Sequence, residues 1–253
     1  MWNEEDFIAL EQEELEITEE AIILMILALG GVQTNLEKEL RDFYSRYGKD
    51  GVVTYAEARK WVSEKDHRRR LTLLTLLVGG AFADAFTKWE NHFRKFLTEV
   101  IGKESTFFGI KVDVDKILTK KWDFNDLYWL ERLEYDVDLW KATISGDIKQ
   151  AILKRDTLEN ILTKLDKRFK SIESTLKSLG LSESTAVGSL ARQEAFKELG
   201  IGKYQIYTKV DERRCETCGE LHGRIFPMSE YEVGVTASPF HRRCRCWEVP
   251  ILE

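Results

Sequence analysis

The chain has 253 residues, 43% of them hydrophobic and 32% charged, with a net charge of −6. That length supports a sizeable core, one ordinary domain with a small one appended, and the acidic balance argues against a protein whose whole surface binds DNA. The acidity lies in the first part: residues 1–200 carry 30 Lys/Arg against 36 Asp/Glu, whereas residues 201–253 carry 8 of each.

Nine of the first twenty residues are acidic, and no Lys or Arg precedes Lys38. A positive n-region is therefore missing and no secretory signal is expected. The apolar run Ala21 to Leu29 falls short of the ~20 residues that a bilayer span requires. The expectation is a soluble intracellular product with no membrane partner. The acidic start either docks on a basic ring or keeps its helix soluble.

The only three prolines are Pro227, Pro239 and Pro250. Everything before them is rich in Leu, Glu, Lys and Ile, the composition long helices tolerate best. The pattern predicts helices near 4–30, 33–48, 54–78, 80–101, 113–121, 123–144, 147–179 and 182–199. Thr54 with Glu57 reads as a capping box, and Asp123 and Ser182 read as N-caps. Gly48 to Gly51 and the step Gly180-Leu181-Ser182 read as connectors. From 147 onward Ile148, Ile152, Leu158, Ile161, Leu162, Leu165, Phe169, Ile172, Leu176 and Leu179 form a stripe that packs on other helices.

Other features of this part have bland readings. Lys65 to Arg70 is a basic run at a helix bend, and His67 and His92 have no partners at metal spacing. Trp122, Phe124, Tyr128, Trp129, Tyr135 and Trp140 are expected to be packing core, with any exposed members marking an interface.

After Gly200 the period changes. Tyr204 to Val210 alternates and is rich in β-formers, so it reads as a strand leading into Cys215-Glu-Thr-Cys218. Further strands are expected at Gly223 to Phe226 and from His241 through Val249. All four cysteines of the chain lie here, as CxxC and then as His241-Arg-Arg-Cys244-Arg-Cys246. That clustering fits a reducing compartment and zinc better than a disulfide scaffold. Cys215, Cys218, His241 and Cys244 saturate a tetrahedral structural ion. If 244–246 is extended, Cys244 and Cys246 share a face, so Cys246 can stand in for His241; otherwise it is a buried thiol beside Trp247. His222 is a further alternate ligand. The fold class expected is mainly α: an elongated helical body over 1–181 and a small zinc-stapled α/β module over 182–253, too small to stand without its metal or a neighbour.

The order of Leu190-Ala-Arg192-Gln-Glu194 on a helix, the strand Tyr204 to Val210, Asp211 to Cys218, Leu221-His-Gly223-Arg-Ile-Phe226 and His241 to Cys246 resembles the C-termini of SPP1-type and Mu F-like phage minor head proteins. The likeness covers roughly 184–250. The run through Phe43 to Tyr47 and Val53 to Arg59 is similar, more loosely, to minor capsid proteins of phages of Gram-positive bacteria. This chain departs from the family in carrying His222 where an acidic residue is usual and Arg242 where a proline is common.

The resemblance implies a virion protein of the head, present in few copies at the portal vertex and acting in head morphogenesis and in DNA packaging or ejection. It would be made in the host cytoplasm, with the portal protein and the major capsid or scaffolding protein as partners. Arg213, Arg214, Arg224, Arg242, Arg243 and Arg245 crowd the proposed site in sequence. They read either as a contact for phage DNA or an acidic protein surface, or as an ordinary solvated face.

Arg192 and Glu194, two residues apart, point to different helix faces; one of them ties the helix to the zinc knot, or both are surface residues. No HExxH and no deaminase or nuclease signature is present, so no catalytic residue is expected. The competing reading is a zinc-dependent effector such as a nuclease or toxin, using Glu220 and His222, or a non-catalytic zinc adaptor for DNA.

Overall fold

The computed structural model describes residues 2–65, 73–123 and 125–252, with backbone alone for 61–65 and 73–76. The basic run beyond Lys65, His67 and Phe124 lie outside the described residues. The helices are α1 (Glu4–Tyr47), α2 (Tyr55–Lys65), α3 (Leu73–Phe108), α4 (Val114–Leu118), α5 (Trp129–Leu153), α6 (Leu158–Glu198) and α7 (Glu216–Leu221). The strands are β1 (Lys203–Thr208), β2 (Ile225–Pro227) and β3 (Cys246–Ile251). The protein is mainly α with one small antiparallel sheet in the order β2-β1-β3, in which Tyr204 faces Phe226 on one side and Pro250 on the other.

The helices are longer than the sequence pattern suggests. The predicted pair 4–30 and 33–48 is one helix through Gly30-Gly31. Two helical glycines cost ~1 kcal/mol each relative to alanine, and burial of Met25, Leu29, Val32 and Leu36 on either side of them outweighs this. The connector at Gly48 to Gly51 is present, with Asp50 and Gly51 at positive φ and Lys49 bridged to Val52. The Thr54 capping box is also present: Thr54 N–H donates to Glu57 Oε2 at 2.8 Å, and Glu57 N–H to Thr54 Oγ1 at 3.4 Å.

Two expected starts are corrected. Asp123 caps no helix: it accepts from the Asn125 N–H at 3.1 Å and pairs with Arg132 at 3.2 Å, while α5 begins at Trp129. The connector at Gly180 to Ser182 is absent, because α6 runs through it for 41 residues. The real break lies earlier, at Arg155, whose φ of 58° ends α5 and starts a turn into α6.

Contacts group the chain into two compact units, one of Met1–Ile23, Asn91–Arg132 and Lys177–Glu253, the other of Leu24–Glu90 and Leu133–Leu176. The second is all helical. Its interior is apolar, including Leu36, Leu40, Phe43, Phe82, Ile144, Ile148, Leu165 and Leu176. Trp89 meets Trp140 edge-on at 5.8 Å and donates its indole N–H to the Met25 carbonyl at 2.8 Å.

The first unit mixes helix and sheet. A chain of rings runs from Phe7 through Phe107 and Phe108 to Phe196, Tyr231 and Tyr204, joining the helices to the sheet. Of the expected aromatic core, Trp129 and Trp140 are buried, Trp122 is half-buried under Arg132, and Tyr135 is exposed.

Candidate metal centre

The CxxC works because Cys215 is the N-cap of α7: its sulfur accepts the Cys218 N–H at 3.4 Å, so both sulfurs turn to one side of the first turn. The opposite wall is the segment before β3. Arg243 takes a positive φ of 61°, and its N–H donates to Ser182 Oγ at 3.0 Å. The Thr185 hydroxyl lies 3.2 Å from the Cys244 carbonyl. Ser182, expected to be a helix cap, is thus part of the seat on α6 for the His241 to Cys244 loop.

Five donors converge. Cys215, Cys218 and His241 form one group and Cys218, Cys244 and Cys246 another, each within 4.8 Å, with Cys218 common to both. His241 Nε2 lies 3.2 Å from Cys215 Sγ and 3.0 Å from Cys218 Sγ, and Cys218 Sγ lies 3.8 Å from Cys244 Sγ. Four sulfurs on one zinc at ~2.3 Å sit ~3.8 Å apart, so the donor set fits such an ion. His241 Nδ1 donates to the Arg242 carbonyl at 2.8 Å, leaving Nε2 for the cluster, as ligating histidines commonly do.

The thiols carry the electrostatic mark of a site built for a cation. Cys244 is pushed down because it accepts hydrogen bonds from Cys218 and Cys246. Those two are pushed up, first by sharing their protons with Cys244 and then by burial. Three adjacent sulfurs cannot all ionise unaided; a divalent cation lets them. Cys215 is exposed and its pKa is lowered, chiefly by the Cys218 N–H.

His222 is placed outside both groups. Its Nδ1 accepts the Thr208 N–H at 3.2 Å and its ring meets Tyr207 edge-on, which fastens α7 to β1. Glu220 is exposed. The arginines divide. Arg245 clamps Asp211 through two hydrogen bonds of 2.5 and 2.6 Å, holding that carboxyl well below the usual range. Arg224 lies over Phe226 at 5.6 Å. Arg213, Arg214, Arg242 and Arg243 are exposed around the knot.

Behind β3 lies a constellation that the spacing of the sequence did not announce. Arg192, 1% exposed, bonds Glu104 with two nitrogens, reaches Glu11 at 2.8 Å and lies 3.5 Å from Glu248 on β3. Glu248 Oε1 accepts the Ser238 N–H at 2.6 Å, and its other oxygen meets the Tyr231 hydroxyl at 3.2 Å. Arg192 therefore ties α6 to the strand that follows the cysteines, whereas Glu194 stays on the surface with Lys116 and Lys197. Burial pushes Glu11 up to about 7 and Glu14, Glu104 and Glu248 upward as well, against the pull of Arg192. A signal existed: Glu14 and Thr18 continue the apolar row of Phe7 and Leu10, and Glu104 continues that of Leu97 and Ile101.

Such a helix-backed sheet, with five Cys/His donors converging beside it, defines a small module that could hold a metal. Residues 142–249, which include α6, most of the sheet and all five donors, match the family described as Phage Mu protein F like protein. That match suggests a phage head morphogenesis protein. An uncharacterized protein of Haemophilus influenzae is 22% identical over 110 residues, covering 44% of this chain and 25% of that protein. The chain thus aligns with about a quarter of that relative's length. No solved structure matches. Among the described residues no helix is long and apolar enough to cross a membrane.

Proposed function

We propose that the chain is a phage minor head protein, associated in few copies with the portal vertex and acting in head morphogenesis and in DNA packaging or ejection. A zinc ion held by Cys215, Cys218, His241 and Cys244 fixes its C-terminal module (182–253) against the helical body (1–181), and no residue acts as a catalyst. The observation that carries the reading is the family match over 142–249, which includes the complete donor cluster. The Nδ1 contact that frees His241 Nε2 favours His241 as fourth ligand. Cys246, opposite Thr208 in the sheet, is then the spare sulfur. The exposed arginines beside the knot supply the surface for phage DNA or an acidic face of the portal.

Native mass spectrometry of the chain co-expressed with a portal protein from the same phage tests this, since one spectrum reports both metal and complex. Zinc-loaded chain on a portal ring is the expected outcome. A zinc-loaded monomer that ignores the portal would remove the head-vertex reading. Metal-dependent cleavage of DNA that disappears in Glu220→Gln would replace it with the effector reading.

A further inference from the structure

The mixed unit holds a second set of ligand-type side chains, built from oxygen alone. Glu11 and Glu14 on α1 and Glu104 on α3 each bring a carboxylate oxygen to within 4.8 Å of the other two. Ligand oxygens of one calcium ion, at ~2.3–2.6 Å from it, span up to ~5 Å, so the three can share an ion where they stand. Among the described residues the only cation of the cluster is Arg192, and it faces four carboxyls, those of Glu11, Glu14, Glu104 and Glu248. One guanidinium leaves that charge unbalanced in a place where Glu14 is 5% exposed and Glu104 and Glu248 are 0% exposed.

Two independent features point to a ligand, and a third keeps the carboxyls together. Glu14 Oε1 is fully buried and has no hydrogen-bond partner, a condition that native interiors rarely leave unanswered. Gly188 lets the backbone of α6 pack directly on two of the carboxyls: a Cβ there would stand 3.3 Å from Glu14 Oε2 and 3.6 Å from Glu104 Oε1. Lastly, a groove of about 430 Å³, lined by Glu11, Glu14, Thr18 and Ser184 among others, reaches the carboxyls from the surface and gives an ion and its waters a way in.

We propose that Glu11, Glu14 and Glu104 form a site for a hard divalent cation of the calcium class, separate from the cysteine centre. The all-oxygen donor set selects against thiophilic metals, and its irregular arrangement suits calcium better than magnesium, which demands a near-ideal octahedron. Arg192 does not compete for the ion, because each carboxylate oxygen has lone pairs for both a guanidinium hydrogen bond and a metal. The ion joins α1 to α3, and Arg192 passes that restraint to α6 and β3. The cysteine centre is thereby backed by a second, chemically different metal.

The test is calorimetric titration of the zinc-loaded full chain with calcium chloride, together with its thermal melting temperature at saturation. The wild type is expected to show one saturable calcium step and a rise in melting temperature. Glu14→Gln is expected to lose both while retaining its zinc. Glu11→Gln, altered at the rim where the side chain is 26% exposed, keeps the interior intact and is expected to bind at least about tenfold more weakly, the size of effect that one ligand or its support carries in metal sites; it decides the matter if Glu14→Gln fails to fold. A wild type with no saturable calcium step, or variants that bind as well as the wild type, overturns the site and leaves protons alone to neutralise the cluster.

Discussion

The two units solve the problem of an interior in opposite ways. Among the described residues every buried polar or charged side chain, from Glu14 and Thr18 through Glu104, Glu183 and Arg192 to Glu248, falls in the mixed unit. The helical unit buries hydrocarbon and aromatic rings. An apolar interior tolerates many sequences of the right volume, whereas a buried network works only when each member is present. The helical unit is thus held by pattern and the mixed unit by particular residues, and the two should fail differently.

The largest difference is expected from the proposed metal. Cys218, common to both donor groups, is the most costly to lose: Cys218→Ser is expected to release zinc and unfold the sheet and its loops, because a structural zinc supplies ~10 kcal/mol or more of apparent folding energy. Hydrogen exchange should show β1 to β3 unprotected while the helices of residues 24–90 stay protected; uniform loss of protection would contradict the contrast. Next is Arg192→Met, which strands buried carboxyls without a counter-ion and should cost ~3–5 kcal/mol in urea unfolding. A cost below about 1 kcal/mol would mean that protons or a bound cation already carry the balance.

Smaller again is a dependence on pH. Glu11 is held up to about 7 in the folded chain, chiefly by burial, against 4.5 as its ordinary value. Between those values the folded state keeps a proton that the unfolded chain has released, so stability from this group is complete below pH ~4.5 and falls as pH rises to ~7. Glu11→Gln should flatten the melting temperature across that window, measured without added cation. The smallest effect lies in the helical unit: Thr54→Ala removes the box at the start of α2 and should cost ~1 kcal/mol, with no change in zinc content.

How much of this was legible in sequence follows the same divide. Helical character, the capping box at Thr54 and the convergence of the Cys/His side chains were readable, because each rests on local spacing. Helix lengths were not. Gly30-Gly31 and Gly180 look like punctuation, but tertiary burial carries the helix through them. Ser182 looked like the chemistry of a helix start, yet it and Thr185 serve a loop about sixty residues further on. The carboxyl cluster was least visible. Glu11 meets Arg192 across 181 positions, and the one hint was an acid occupying a place in an apolar row.

That separation has a meaning in the time of synthesis. Glu11 belongs to the first helix made and Arg192 to the sixth, and Glu248 joins them only with the last strand. Until β3 has been added, Arg192 has only Glu11, Glu14 and Glu104 to face, and the Glu248 contacts to Ser238 and Tyr231 are missing. The network of the mixed unit is therefore complete only once β3 is in place.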